Sequence, residues 1–432
     1  MTRAEPGDHA DLETLQRQSF DYFVHEANPV NGLVRDKTAP DAPASIAATG
    51  FALAAYPVGV ERGFMSRTAA AERTLATLRF FWTSPQGPEP DATGYRGLYY
   101  HFLDMRTGRR VWQCELSTVD SAFLFGGMLT AGVYFDRDSP EEQEIRTLAD
   151  ALYRRADWRW AQDQGATVTH GWKPESGFLG YRWEGYDEAL LLYVLGLGSP
   201  THPLPESSYA AWTSTYQWRR CYGQDYLYSG PLFTHQLSHL WIDFRGIQDA
   251  FMRGKGIDYF ENSRRATYAQ RQYAIENPRG FEGYGARCWG LTASEGPGPS
   301  TMTVKGIERE FFDYVGRGVP DGPDDGTIAP WAVVASLPFA PEIVVPTLDY
   351  CVHEAKMTES SKYGFKASFN ATYPVRSGNP HAWVSPWHYG LNCGPILLMI
   401  ENHRTGALWQ WMRGCPYIAG GLRRAGFDGG WL

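Results

Sequence analysis

The chain has 432 residues, 43% hydrophobic and 20% charged, which is enough to bury a sizeable core and too apolar for a disordered protein. A net charge of −8 argues against a nucleic-acid binder with a broad basic face, and no apolar run approaches the roughly 18 residues of a membrane span. The opening Met1-Thr-Arg-Ala-Glu-Pro6 lacks the apolar centre of a signal peptide. The expected location is therefore the cytoplasm for the sequence as it stands, or the periplasm if a leader has been removed.

In chain order, residues 11–27 place Leu12, Leu15, Tyr22 and Phe23 on one side of a helix. Residues 46–56 are apolar nearly all round. Ser66 has the character of an N-cap for a helix reaching about Trp82, with Leu75, Leu78, Phe81 and Trp82 as its apolar stripe. Residues 122–135 are again apolar on every side. Ser139-Pro140-Glu141-Glu142 is a strong start signal: a cap, a proline at the first helical position, then two acids at the positive end of the dipole. Ile145, Leu148, Ala149, Leu152 and Ala156 continue that helix at 3–4 spacing. Residues 189–197 and 396–400 complete the all-apolar set.

A helix with no polar face must be surrounded by protein. Buried helices alternating with amphipathic ones describe helical hairpins in two concentric layers. Roughly eleven or twelve segments suit an all-α fold, an (α/α)6 barrel or toroid, in a single domain over residues 1–432. Strand patterns are few and short. The connections 85–110, 163–186, 278–303 and 315–330 are long and rich in Gly, Pro and Trp, as ordered functional loops are. No linker and no repeat marks a boundary.

The six cysteines (114, 221, 288, 351, 393 and 415) are widely separated, without a CxxC pair, and read as scattered core thiols. His235 and His239 stand four apart and would share a helix face, but the glutamate of a HExxH motif is missing. No metal and no cofactor is expected.

Several acids fall where a helix begins beside one of the long loops: Glu115 and Asp120, Glu184, Asp187 and Glu188, Glu295, and Asp324 and Asp325. Each has a structural reading as a cap; Ser117 and Asp120 stand at capping-box spacing. Inner-helix starts of an α/α barrel point to one rim, however, so acids from successive hairpins would converge there. Glycosidic cleavage needs two such carboxyl groups, an acid for the leaving oxygen and a base for water. Trp183, Trp289, Trp331, Trp383 and Trp387 stand near these acids, where they could stack sugar rings or raise a carboxyl pKa by desolvation. No GxSxG elbow, P-loop or dinucleotide fingerprint is present.

The words Ala48-Thr-Gly-Phe51, Pro57-Val-Gly-Val-Glu61, Glu188-Ala189, Gly198-Ser-Pro-Thr-His202-Pro203, Gly230-Pro-Leu-Phe233, Trp289-Gly-Leu-Thr-Ala-Ser294, Asp325-Gly-Thr-Ile-Ala-Pro330 and Gly394-Pro-Ile-Leu-Leu-Met-Ile-Glu401 recur in order over nearly the whole chain. They resemble the bacterial glucoamylase-like family that contains the endo-β-1,2-glucanases. The resemblance implies an (α/α)6 toroid and inverting hydrolysis of β-1,2-glucan. It implies Glu188 as general acid, with Asp120 as its partner or a substrate-positioning acid. It places Glu184, Asp187, Glu295 and Asp325 around the groove, and Trp183, Tyr186, His202, Trp289 and Trp387 along it. The expected partner is an oligo- or polysaccharide, with neither nucleic acid nor membrane. The transglycosylation domain of cyclic β-1,2-glucan synthases is similar too, so transfer, cleavage of another linkage, or sugar binding without catalysis stay open.

Two departures stand out. Where the family commonly reads Tyr-Gly-Phe-Tyr-Asp-Ala-Phe-Asn, this chain reads Tyr363-Gly-Phe-Lys366-Ala367-Ser-Phe369-Asn370, and Asp-Gln-Gly-Pro is replaced by Asn392-Cys393-Gly394-Pro395.

Overall fold

In the computed structural model, which describes residues 6–359, 361–375 and 382–432, the four helices that follow α1 (Pro6–His25) each begin on a serine. Ser45 precedes α2 (Ile46–Glu61), Ser66 precedes α3 (Arg67–Thr83), Ser117 precedes α4 (Thr118–Tyr134) and Ser139 precedes α5 (Pro140–Arg155). Each serine oxygen accepts the N–H three residues on, filling one of the donors a helix start leaves open. Met1–Glu5, in the opening that lacks the apolar centre of a signal peptide, lies outside the described residues.

There follow α6 (Trp158–Ala161), α7 (Leu190–Gly198), α8 (Glu206–Thr213), α9 (Ala250–Lys255) and α10 (Tyr259–Glu276). The chain continues through α11 (Pro330–Ala335), α12 (Pro341–Asp349), α13 (Gly390–Arg404), α14 (Ala407–Arg413) and α15 (Pro416–Arg424). That is more helices than periodicity predicts. The surplus is short pieces such as α6 and α9, which make too few turns to leave a pattern.

The apolar runs become an inner layer, as a helix without a polar face requires. α2 packs on α4 and α13, α4 on α7, and α13 on α11. Between α7 and α11 the inner position is filled by two 3-10 turns, Leu232–His235 and Leu237–Leu240. Leu191 N–H donates to Ser238 Oγ (3.0 Å), and Gln236 Nε2 donates to Ala332 O (2.6 Å) and Ser336 Oγ (2.7 Å), tying the turns to α7 and α11. Asn402 Nδ2 donates to Leu240 O (3.0 Å), linking them to α13. Outside this helical toroid, α1 lies on α13 and α2, α3 on α2 and α5, α5 on α4, α12 on α11, and α15 on α7.

His235 and His239 therefore do not share one α-helical face: Gln236 breaks the turn between them. Each is buried and hydrogen-bonded within the core, His235 Nε2 to Ser229 O (3.1 Å) and His239 Nε2 with Ser263 Oγ (3.0 Å). Burial lowers both imidazole pKa values, to about 4 and about 3. Trp82 is a second difference. It is 46% exposed, with the Arg155 guanidinium 5.4 Å from its ring, so the apolar stripe of α3 ends at Phe81. The six cysteines are buried and free.

Two features close the inner layer. α2 and α4 cross at glycines: a Cβ on Gly127 would stand 1.9 Å from Gly50 O, and a Cβ on Gly50 would stand 2.4 Å from Phe123 O. Beside the crossing, Phe51, Trp241 and Phe123 stack with centroids 5.6 and 5.9 Å apart, filling the axis of the ring. At the other end of α2, the Arg62 guanidinium grips the buried Glu401 carboxylate of α13 (2.6 and 3.0 Å), which also accepts from Gln16 of α1 (2.9 Å) and from Thr405 (2.6 Å).

Gly127→Ala is expected to lower stability by about 1–3 kcal/mol through overpacking. Gly254→Ala in α9, where nothing lies within 4 Å of an added Cβ, is expected to be neutral or stabilising by up to about 1 kcal/mol. Urea midpoints of the two variants against the parent check both.

Candidate active site

The long loops are ordered by short strands. Segments Gly94–Tyr95, Leu98–Tyr100, Leu116–Ser117, Gly171–Lys173 and Gly177–Phe178 form one antiparallel sheet, built from loops that the sequence reads as strand-poor. Its second and third strands run directly into His101 and toward Asp120. His101 N–H donates to Glu115 O (3.0 Å), His101 O accepts from Ile46 N–H at the start of α2 (3.2 Å), and Leu116–Ser117 leads into α4 and Asp120.

Above the Phe123 ring lies a cavity of about 500 Å³. Its charged and imidazole lining is Asp36, Lys37, His101, Asp120, Glu188, Glu295 and Asp313. Phe102, Trp112, Phe233, Tyr314, Trp331 and Tyr389 supply its aromatic walls. Asp120, Glu188 and Glu295, three of the acids expected at helix starts, are thus brought to one place.

Glu188 sits two residues before α7, with Ala189 between, and its carbonyl accepts from Ser238 Oγ (3.3 Å). Burial raises its carboxyl pKa from the usual value near 4.5 to about 7, and the neighbouring Asp120 charge pushes the same way. A helix N-terminus favours a carboxylate by only about 0.3–1 kcal/mol, so here desolvation prevails. The adjacent Asp187 turns away from the cavity: its Oδ1 accepts from Ala189 N–H (3.0 Å) and Trp212 Nε1–H (3.3 Å). Burial and the nearby Glu188 raise its pKa as well.

Asp120 lies in the first turn of α4, where Ser117 Oγ both accepts from its N–H (3.2 Å) and donates to its carboxylate (2.5 Å). The capping expected of Ser117 is present, but the Asp120 carboxylate faces the cavity and His101. His101 Nδ1 is 2.8 Å from Glu115 Oε1, and its Nε2 is 3.7 Å from Asp120 Oδ2. Burial alone would lower the imidazole pKa; the carboxylates of Asp120, Glu115 and Asp36 outweigh it and raise the value to about 9. Asp36 itself is raised to about 6 by burial, which His101 and Lys37 oppose. Among the described residues, His101, Glu115 and Asp120 have donor atoms within 4.8 Å of one another, the spacing a metal ion could use. The direct His101–Glu115 hydrogen bond already occupies one of those donors.

Asp325 does not line the cavity. It is wholly buried under the segment that carries Asp313 and Tyr314, in a two-point pair with the equally buried Arg317 (2.8 Å at each contact). Asp325 Oδ2 accepts from Phe312 N–H (2.9 Å), and Arg317 donates to Asp313 O (3.2 Å) and Ser294 O (2.6 Å). Burial would raise the Asp325 carboxyl; the guanidinium holds it below the usual range. One ion pair therefore fixes both Asp313–Tyr314 and the residue before Glu295.

The remaining expected residues lie around the cavity rather than on its wall. Trp183 braces the start of α4, donating from Nε1 to Thr118 Oγ1 (3.0 Å) and stacking on His170 at 3.8 Å. Glu184 is exposed and accepts from Thr167 Oγ1 (3.0 Å). Tyr186 is buried between His235 and Tyr259. Trp289 is wholly buried, donating to Thr347 Oγ1 (2.9 Å). His202 is exposed beyond the far end of α7, whose nine residues put it roughly 13 Å or more along the chain axis from Glu188. Trp387 is half-buried and donates its N–H to Ser385 Oγ (3.3 Å), the hydroxyl that also donates to the Glu295 carboxylate.

The two departures from the family pattern have different settings. Ala367 is buried, and its N–H donates to Trp387 O (3.2 Å). Lys366 donates to Pro386 O (2.7 Å) and lines a different cavity, of about 690 Å³, together with Phe365 and Phe369. Asn392 and Cys393 are buried in the first turn of α13, next to the cavity-lining Tyr389 and Leu391.

Asp325→Asn is expected to leave Arg317 buried without its counter-ion and to cost about 3–5 kcal/mol of stability. Denaturant unfolding measures it; a loss under 1 kcal/mol would contradict the anchoring assigned to this pair.

Residues 180–416, more than half of the chain, match the Glycoamylase family, described as "Putative glucoamylase". A Bacteroides uniformis protein of the same description is 32% identical, with a TM-score of 0.87 over 100% of both chains. The endo-β-1,2-glucanase of Chitinophaga pinensis, solved with sophorotriose and glucose, is 26% identical over 98% of this chain and 99% of its own, with a TM-score of 0.85. The exo β-1,2-glucooligosaccharide sophorohydrolase (non-reducing end) of Parabacteroides distasonis is 29% identical over 449 residues and 96% of this chain. The chain spans 57% of the length of that curated relative. On the extent of the family match and its agreement with the whole fold, the chain belongs to the Glycoamylase family.

Proposed function

We propose that the protein is a glycoside hydrolase acting on β-1,2-linked glucan, with its catalytic machinery in one (α/α)6 barrel over residues 1–432. The observation that carries this reading is the pairing of Glu188 and Asp120 in one aromatic-walled cavity, each in a different electrostatic setting. Two family relatives with β-1,2-glucan activities in their names support the choice of linkage. The barrel assignment rests on five inner helices with outer partners, the 3-10 turns standing in the sixth inner position.

In this mechanism Glu188, protonated below about pH 7, delivers its proton to the glycosidic oxygen as the C–O bond breaks. The anomeric carbon gains oxocarbenium character, and water adds from the opposite face. Asp120 takes the proton from that water, giving inversion and a free reducing end. Glu295, fixed by Ser385, and Asp36 accept hydrogen bonds from sugar hydroxyls, and the aromatic walls hold the apolar faces of the rings. Asp187 and Asp325 support the site from behind, and Trp183 and Tyr186 brace the acid-bearing turns.

Incubation with linear β-1,2-glucan, with starch and β-1,3-glucan as controls, is expected to give short products and new reducing ends from the β-1,2-linked substrate alone. Products of unchanged mean length would indicate transfer, and binding without products would indicate a sugar-binding protein; either overturns the hydrolase reading. Glu188→Gln is expected to lower kcat by about 10²–10⁴-fold with the fold intact. In the parent enzyme, activity is expected to fall as pH rises through about 7, because the acid form of Glu188 is then lost. A rate still rising at pH 8 would remove Glu188 from the acid role.

A further inference from the structure

His101 has no assigned part in the reaction, yet beside the Ser117 hydroxyl of the helix cap it is the group that meets the Asp120 carboxylate from the neighbouring strand. Its position is over-determined. The backbone is held on both sides, by Glu115 O and by Ile46 N–H. The ring lies flat on Phe102, with centroids 3.9 Å apart and planes 11° off parallel. Nδ1 is fixed by Glu115 Oε1 at 2.8 Å, which leaves Nε2 directed to Asp120 Oδ2 at 3.7 Å. That distance is ion-pair contact, longer than a direct hydrogen bond.

The local chain is strained to reach this arrangement. Trp112 and Gln113, immediately before Cys114 and Glu115, both have left-handed backbone, with φ of 58° and 48°. Two successive non-glycine residues in that region need the surrounding structure to hold them. Trp112 packs on Phe102 at 5.3 Å, so the strained turn and the His101 ring share one support.

We propose that His101 is a positioning residue: clamped by Glu115, it holds the Asp120 carboxylate turned toward the cavity, opposite Glu188. This deepens the functional reading above and rests on it for the role of Asp120. The carboxylates of Asp120, Glu115 and Asp36 act on the imidazole directly, and the other charged groups nearby act on those carboxylates. Glu115 and Asp120 touch it, and Asp36 and Lys37 face it from the loop before α2. Lys173 and His170 stand by Glu115, while Glu188 and Tyr314 stand by Asp120. Acids surround the ring more closely than cations do, in keeping with the imidazolium form at neutral pH.

The consequence is a separation of two carboxyl groups by surroundings alone. Asp120 faces a cation across 3.7 Å, whereas Glu188 faces apolar walls and a neighbouring carboxylate. An acid/base pair needs that asymmetry between its members.

Two measurements on the full chain test this. The first needs no substrate. The His101 imidazole resonance, identified by its loss in His101→Gln, is expected to titrate well above pH 6.5. Its midpoint should fall by about one pH unit or more in Glu115→Gln and in Asp120→Asn, because each removes a carboxylate facing the ring. The second uses β-1,2-glucan. His101→Gln is expected to lower kcat at least about tenfold with KM within about threefold, and to move the low-pH limb of the rate profile up by about one pH unit. In the Asp120→Asn background the same change should add nothing. If His101→Gln does not fold, Glu115→Gln keeps the test: several-fold lower kcat, unchanged KM, and partial recovery in Glu115→Asp. A His101 midpoint near 6.5 in the parent overturns the proposal, as does a kcat loss that persists in the Asp120→Asn background. Should the parent leave β-1,2-glucan uncut while the His101 midpoint shifts as stated, the substrate reading fails and the clamp on Asp120 stands.

Discussion

Two helix backbones touch at Gly50 and Gly127, and the position of the catalytic candidates follows from that contact. No side chain separates α2 from α4 there, so their axes are as close as peptide groups allow. The start of α4 carries Asp120, and the start of α2 is hydrogen-bonded to His101, just past the end of its strand. Any spreading of the crossing would separate these two starts. The stacked Phe51, Trp241 and Phe123 rings occupy the space beside the glycines, and Phe123 is also part of the cavity lining. Core and site are therefore one packing problem: the residue that fills the axis below is the surface a ligand would meet above.

In and around the cavity, chemically similar groups receive different treatment from their neighbours. Glu188 has lost water and gained little in return, so its acid form persists toward neutrality. Asp187, next in sequence, spends its hydrogen bonds on the α7 start and Trp212. Asp325 is more deeply buried than either, yet a two-point guanidinium contact keeps it ionised. Glu115 is ionised for the same reason, through His101, although burial works against it. Residue type predicts none of these outcomes; the partner on the far side of each carboxyl does.

The sequence makes the buried helices legible because an all-apolar helix has one stable environment. Residues 46–56 and 122–135 lie in the inner layer for that reason. It also makes the serine caps legible, since a cap is a contact over three residues. It is less informative wherever the deciding contact is distant. His101 sits in Tyr99-Tyr100-His101-Phe102, an aromatic run with no motif, and meets Asp120 only through sheet pairing. Asp36 and Asp313 stand well ahead of the helix starts that follow them, so the rule that found Asp120 and Glu188 passes over them. Trp289 and His202 show the converse. Both stand in family-like words, and three-dimensional packing puts one inside the core and the other at the wrong end of α7. Asp325 was found as an acid of the site region, but its partner Arg317 could not be inferred from spacing alone.

One feature of the rim has an optical consequence. Trp112 is 66% exposed at the cavity, whereas Trp158, Trp212, Trp241, Trp289 and Trp331 are fully buried. Its indole meets solvent while most of the deep indoles do not, so a small aqueous quencher would dim its emission well ahead of theirs. Trp82, the other strongly exposed indole, lies under a guanidinium on α3, away from the cavity lining. Intrinsic fluorescence of this protein thus contains a component reporting on the mouth of the site, and shielding of that component would register a sugar ring seated over Trp112 without a label or a chemical step.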